Sequence, residues 1–317
     1  GASAFNQPIG SWDVSNVTNM YRMCRSASAF NQDLCGWGNH YNASVDYREM
    51  FDATSCPNNT DPSSASGPWC RECPKGGFGV FTDRSTLKTK IWEYDSQGCN
   101  TNPECAVGLE YGYPINTWDV SRVTSFSNLF YDESNPIDFN EDINNWDTSK
   151  VTDMQGMFRL ARSFNQPIGS WDVSNVTNME RLFEYAYAFN QPIGSWNVTK
   201  VTHMYGVFAF AEAFNQPIGS WDVSNVTNMG QLFWNARSFN QPIGSWDVSN
   251  VRNMIYMFYE CHAFNRPIGS WDVSNVRNMA YMFYFAWKFN QPIDSWDVSN
   301  VGEMRQCHEY GSDVCLR

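Results

Sequence analysis

Phe214-Asn-Gln-Pro-Ile-Gly-Ser-Trp-Asp-Val-Ser-Asn-Val-Thr-Asn-Met229 is the cleanest copy of a phrase that recurs along the chain. Near-copies start at Phe5, Phe164, Phe189, Phe239, Phe264 and Phe289, and degraded copies at Phe30, Tyr111 and Phe139. Tryptophan is the ruler. Trp146, Trp171, Trp196, Trp221, Trp246, Trp271 and Trp296 fall 25 residues apart, Trp12 and Trp37 share that spacing, and Trp118 precedes Trp146 by 28. A fixed period in this range marks stacked repeats, none of which buries its apolar face alone.

Within one repeat the pattern changes period. Around Trp196 the alternation is two-fold, Trp196 in, Asn197 out and Val198 in, which predicts a short strand. Val201, Met204, Val207, Phe208, Ala211 and Phe214 then recur at three and four residues, which predicts a helix. Ser174 and Ser224 stand before the equivalent stripes as N-cap residues. The expected fold is an α/β repeat solenoid, a short parallel β-strand plus a helix in each 25-residue coil, with coils about 4.8 Å apart. The Asn after each repeat Phe (Asn140, Asn165, Asn190, Asn215, Asn240, Asn265, Asn290) fits a ladder bonding the neighbouring coil's backbone. Gly112 takes that slot in the Tyr111 copy.

The phrase resembles the repeat of the BspA-like leucine-rich-repeat surface proteins, roughly MFxxAxxFNQxIxxWDVSNVTxM. Residues 151–306 match in every repeat and residues 1–37 match as well. The resemblance implies a leucine-rich-repeat-like, right-handed solenoid at the cell surface or outside the cell. It also implies adhesion or binding rather than catalysis, and brings no functional residues with it.

The chain divides at changes of pattern. Residues 1–56 read as the end of a first repeat array, and residues 57–78 as a linker rich in Cys, Pro, Ser and Gly. Residues 79–110 read as an N-terminal capping helix and Cys loop, with Leu87, Ile91 and Tyr94 at helical intervals. Helices of this kind open arrays in the resembling family. Residues 111–306 form the second array, and 307–317 a C-terminal cap. Ala2 occupies the slot of Ala161, Ala186 and Ala211, so the sequence starts inside a coil. That points to upstream sequence or to a partner packed there.

The formal charge of −12 argues against nucleic acid and against anionic membrane surfaces, which attract Lys and Arg clusters. No apolar run approaches the length that spans a bilayer. Seven of the ten cysteines lie between residues 24 and 105, largely outside the regular repeats, which predicts disulfides in an oxidising compartment. The disulfide candidates are Cys24, Cys35, Cys56, Cys70, Cys73, Cys99, Cys105, Cys307 and Cys315. Cys70-x-x-Cys73 has no second Cys or His pair at zinc spacing. Cys261 fills the small slot of Ala236 and Ala286 and reads as a buried free thiol.

Asn16, Asn42, Asn58, Asn175, Asn197 and Asn225 satisfy the N-glycosylation sequon. The repeat slot also accepts Lys150 and Lys200, so it faces solvent. Asp222, Asp247, Asp272 and Asp297 repeat one residue after each Trp. The ordinary role is to accept backbone N–H groups of the following turn; the alternative is a calcium-bridged row of carboxylate oxygens. No phosphate loop, nucleophile elbow or His beside a repeating Ser or Cys is present in the sequence, so no catalysis and no other cofactor is expected.

These readings converge on an extracellular, non-enzymatic repeat protein. One form is a structural subunit of a cell-surface coat or filament, whose partners are copies of itself; near-identical coils favour it. The other is an adhesion or binding module for surface and matrix proteins or glycans, which the resemblance favours. The helical face varies most, at Tyr205, Trp234, Tyr256, Tyr281 and Trp287, and is the expected docking face.

Overall fold

The computed structural model describes residues 2–7, 9–10, 12–32, 34–64, 67–70, 79–102, 105–132 and 137–305, with Asn39 in backbone only. The chain forms two compact units. One comprises residues 1–81 and 89–120, the other 82–88 and 121–317.

The expected α/β solenoid is not what the coils build. Among the described residues the α-helices are α1 (Arg84–Ser96) and α2 (Ala106–Tyr111), neither of them inside a 25-residue coil, and there is no β-strand. Among the described residues successive coils of the second array pair through a single parallel bridge, which falls seven residues after each Trp, in the stripe read as a helix. The bridges run from Ser125 through Asp153, Asn178, His203, Asn228, Asn253 and Asn278 to Glu303, one residue per coil. The in–out alternation around Trp196 is nevertheless as expected: Trp196 and Val198 are buried and Asn197 is exposed. Side chains there bond to neighbouring backbone, so alternation arises without a strand ladder.

The stripe read as a helix is a run of turns. In the coil from Phe189, Val207, Ala209 and Ala211 donate their N–H groups three residues back, to Met204, Gly206 and Phe208. The residues between them reach across to the next coil, Met204 to Asn228, Gly206 to Gly230 and Phe208 to Leu232, at 2.9–3.1 Å. This alternation requires a left-handed backbone at two places per coil, such as Gly206 (φ 63°) and Phe210 (φ 59°). A helix of that length would leave four N–H and four C=O groups orphaned at each end. The turn run passes its backbone groups to the next coil instead. Each left-handed residue costs roughly 1–2 kcal/mol, which about four inter-coil bonds at roughly 1 kcal/mol each offset. The apolar set is the same for either backbone: Val201, Met204, Val207, Phe208, Ala211 and Phe214 are all buried. Ser174 and Ser224, expected as N-caps, donate their own N–H groups to Asp172 and Asp222.

Side-chain ladders complete the stack. Asn215 Oδ1 accepts the N–H of Asn240 at 3.0 Å and the amide of Gln241 at 2.9 Å, and the motif recurs from Asn140 to Asn290. The indoles of Trp171, Trp196, Trp221, Trp246, Trp271 and Trp296 each donate to an Ile carbonyl 28 residues earlier, as Trp221 does to Ile193 at 3.1 Å. Ser245 Oγ donates to Gly219 O at 3.0 Å. The core is a column of rings. Phe183, Phe208, Phe233 and Phe258 stack at 5.6–5.8 Å, and each also packs on the Phe six residues later at 3.9–4.2 Å.

In the other unit, Met20 and Cys24 donate their N–H groups to Asp46 and Met50, the same cross-coil pattern. Phe30, Trp37, Met50, Phe51 and Trp69 form its core. In α1, Leu87, Ile91 and Tyr94 are buried as their spacing predicts, and Asp83 accepts the Thr86 N–H at 2.8 Å at the helix start.

Candidate functional site: an aromatic ridge

The left-handed residues occupy two slots per coil. The first holds Gly156, Arg181, Gly206, Gln231, Tyr256 and Tyr281; the second holds Leu160, Tyr185, Phe210, Asn235, Glu260 and Phe285, all with φ between 53° and 63°. Bulky residues are costly in this conformation, and Gly156 and Gly206 show that the coil accepts glycine. Several coils carry an aromatic ring there instead.

Those rings join into a continuous surface ridge. Tyr185 stacks on Phe210 at 4.4 Å, Phe210 meets Trp234 at 5.0 Å, and Trp234 stacks on Tyr256 at 5.6 Å. Tyr256 stacks on Tyr281 at 5.0 Å. Tyr259, Tyr284 and Phe285 continue the contacts, and His262 lies flat on Trp287 at 4.4 Å. Most of these rings are half-buried, whereas Trp287 is 64% exposed. Many of the rings cover one another's faces, so the ridge presents chiefly edges and hydroxyls. Burial pushes the Tyr185, Tyr205 and Tyr259 hydroxyls above their ordinary range, so they stay protonated as donors. Burial first, and then Arg237, lowers His262 and favours the neutral imidazole.

Cations flank the ridge. Arg159 lies over Tyr131 at 4.4 Å, Arg181 over Tyr205 at 5.5 Å and Arg162 over Tyr187 at 6.0 Å. Glu184 is a buried carboxylate paired with Arg159 at 2.5 Å. Asn235, also buried, bridges Glu212 and Arg237. Of the residues expected on the docking face, Trp234, Tyr256, Tyr281 and Trp287 belong to the ridge, and Tyr205 stands beside it under Arg181. Tyr185, Phe210, Tyr259, Tyr284 and Phe285 were not singled out by the sequence. Their signal was present, as aromatic residues in slots that other coils give to Leu160, Asn235 and Glu260 or to Arg159, Glu184 and Ala209.

The predicted carboxylate row is not gathered into a metal site. Asp222, Asp247, Asp272 and Asp297 each accept the N–H of the Ser two residues on, at 3.0 Å. Among the described residues no three His, Cys, Asp or Glu side chains converge to hold a metal ion. The Ser hydroxyl first, then its N–H, holds each carboxyl below the usual carboxylate range. A depressed folded pKa contributes stability above the unfolded value, about 4, and loses it as pH falls through the folded value. Exposure keeps each contribution small. Melting temperature is therefore expected to fall below about pH 4. The quadruple Asp→Asn variant of this row should flatten that fall and leave the neutral-pH value unchanged, because Asn197 already makes the same turn. An acid limb identical to wild type by circular dichroism sinks the account.

Of the cysteines, Cys56 bonds Cys70, Cys99 bonds Cys105, and Cys35 is disulfide-bonded. Cys24, expected in a disulfide, is free and buried. Counted from its tryptophan it fills the slot of Phe183 and Phe208, inside the repeat pattern, and burial pushes its thiol up to about 11. Cys261 is free and fully buried. Cys73, Cys307 and Cys315 lie outside the described residues.

The sequon residues Asn16, Asn42, Asn197 and Asn225 are exposed, and Asn58 and Asn175 half-buried. Asn175 and Asn225 differ from the others in donating their amide to the preceding coil, at Ser149 O and Thr199 O, both 2.8 Å. Among the described residues no helix is long and apolar enough to cross a membrane.

A model of the family described as "Mycoplasma protein of unknown function, DUF285" matches residues 1–64, 106–221 and 203–314. No curated protein and no solved structure matches the chain.

Proposed function

The chain belongs to the DUF285 family, and from that premise we propose that it is a non-enzymatic binding module working outside the cell, which engages a partner protein through the aromatic ridge. One observation carries the reading. Tyr185, Phe210, Tyr256, Tyr281 and Phe285 hold large rings at left-handed positions where glycine would relieve the backbone. Strain retained without a backbone need is a pointer to function. Tyr, Trp and Arg dominate binding hot spots, and all three line this surface. Ring edges and hydroxyls suit a protein surface better than a sugar, which stacks on open ring faces. The disulfides Cys56–Cys70 and Cys99–Cys105 support an oxidising location, in keeping with the resemblance to surface repeat proteins.

The test uses substitutions that the repeat itself supplies. Gln231 occupies the slot of Tyr281 and Glu212 the slot of Trp287. The double variant Tyr281→Gln, Trp287→Glu should keep its melting temperature and lose at least tenfold in affinity for every protein that wild type captures from an array of extracellular proteins. Undiminished capture by the variant rules the ridge out. The near-identity of the coils supports a second reading, a structural subunit of a coat or filament. Ordered filaments in electron micrographs of native material would put that reading first.

A further inference from the structure

The ladder slot after each repeat Val holds Thr in coil after coil. Thr152, Thr177, Thr202 and Thr227 each turn their hydroxyl back onto the preceding coil's carbonyl in this slot. The next two coils carry Arg252 and Arg277 instead, and the one after carries Gly302. Backbone bonds fix the three as neighbours: Arg277 N–H donates to Arg252 O, and Gly302 N–H to Arg277 O, both at 2.9 Å. Two arginines thus occupy the same slot of adjacent coils. Neither has an ion pair or a side-chain hydrogen bond among the described residues, although acidic residues exceed basic ones in the chain by 12.

Beside Arg277 lies an open hollow of about 470 Å³ lined by Asn275, Arg277, Asn300 and Gly302. The missing side chain at Gly302 leaves the space. Asn275 and Asn300 donate their amides to Ser249 O and Ser274 O at 2.8 Å. Those bonds orient the side chains and leave each Oδ1 as an acceptor with no partner among the described residues. The hollow therefore combines the Arg277 guanidinium, with Arg252 in the same slot of the preceding coil, a donor suited to the planar fork of a carboxylate or the oxygens of a sulfate, with fixed acceptors suited to hydroxyl groups.

We propose that Arg252, Arg277, Asn275 and Asn300 form a binding site for an acidic saccharide, a sugar bearing carboxylate or sulfate beside free hydroxyls. The site uses none of the ridge residues and stands independently of the ridge reading. A simple anion would satisfy the guanidiniums but leave the Asn acceptors unused. An acidic peptide offers carboxylates without a dense array of hydroxyls.

The experiment is calorimetric titration of the full chain with a heparin-derived hexasaccharide and with an oligogalacturonate, at low and physiological salt. Variants Arg252→Thr, Arg277→Thr and the double substitution restore the residue of the other coils, so folding should be preserved and is checked by melting temperature. Binding of at least one acidic saccharide, weakened about tenfold by each substitution and by added salt, is the expected result. The proposal is overturned if neither saccharide binds, if the double variant binds as wild type does, or if neutral dextran, polyglutamate or inorganic sulfate binds as tightly as the saccharide.

Discussion

Phe208→Ala should lower the unfolding free energy by about 3–5 kcal/mol, the range for removing a fully buried ring. Phe208 is wholly buried and touches rings on every side: Phe183 at 5.8 Å, Phe233 at 5.7 Å, Phe214 at 4.0 Å and Trp221 at 6.1 Å. A cavity costs least where the surroundings can collapse into it. Here they are held apart, because Phe208 N–H is bonded to Leu232 O above and Phe183 N–H to Val207 O below. The loss should therefore lie in the upper half of the range. Phe283, half-buried, stands in the same column, and its replacement by Ala should cost visibly less. Equilibrium urea unfolding of the two variants checks this, with the slope monitored because arrays of repeats can lose cooperativity. A loss under about 1.5 kcal/mol for Phe208→Ala would mean that the column repacks freely.

Gly219→Ala should be among the most damaging one-carbon changes in the array of coils. A Cβ at Gly219 would lie 2.4 Å from the carbonyl oxygen of Pro242 in the next coil, a backbone atom that cannot swing aside. Gly169, Gly194, Gly244 and Gly269 face their own Pro oxygens at 2.4–2.6 Å. Relief requires moving one coil against the next. That strains the bonds on either side, Ser245 Oγ to Gly219 O and Trp246 Nε1 to Ile218 O. A loss of about 2–3 kcal/mol is expected. Asp294 fills the same slot in the coil that no described proline overlies and is exposed, so Asp294→Ala serves as the control, with an effect within about 0.5 kcal/mol. Equal effects of the two substitutions, measured by denaturant unfolding, would refute the close-approach explanation.

Both predictions concern features that were half legible in the sequence. The glycine of the phrase was visible as a repeat, but its reason was not, since Pro242 lies 23 residues away and only stacking brings its oxygen over Gly219. The three–four spacing of Val201, Met204, Val207, Phe208 and Ala211 selected the right buried set and the wrong backbone. A helix and a run of left-handed turns bury the same side chains, so periodicity alone does not separate them. Cys24 falls with the linker cysteines by its position in the chain, yet its distance from Trp12 places it in the Phe slot of a coil. Of the ridge, the sequence showed Trp234, Tyr256, Tyr281 and Trp287 as variable, and gave no indication that Tyr185 and Phe210 adjoin them.

The sequence by itself determined the 25-residue period, the stacking of coils, the buried Trp and Phe columns, the Asn ladder and the Asp–Ser turns. Each depends on residues repeating in step or lying two apart, so each is written locally. Only the tertiary structure decided the backbone path, the disulfide partners and the gathering of aromatic rings and of Arg252 with Arg277. The backbone path and the two gatherings rest on hydrogen bonds and contacts between coils, where the cross-coil partner of a given N–H or ring lies more than twenty residues away, whereas the disulfides Cys56–Cys70 and Cys99–Cys105 lie in segments with no repeat to set their pairing. Those cross-coil partners, rather than local propensity, made left-handed turns more favourable than a helix.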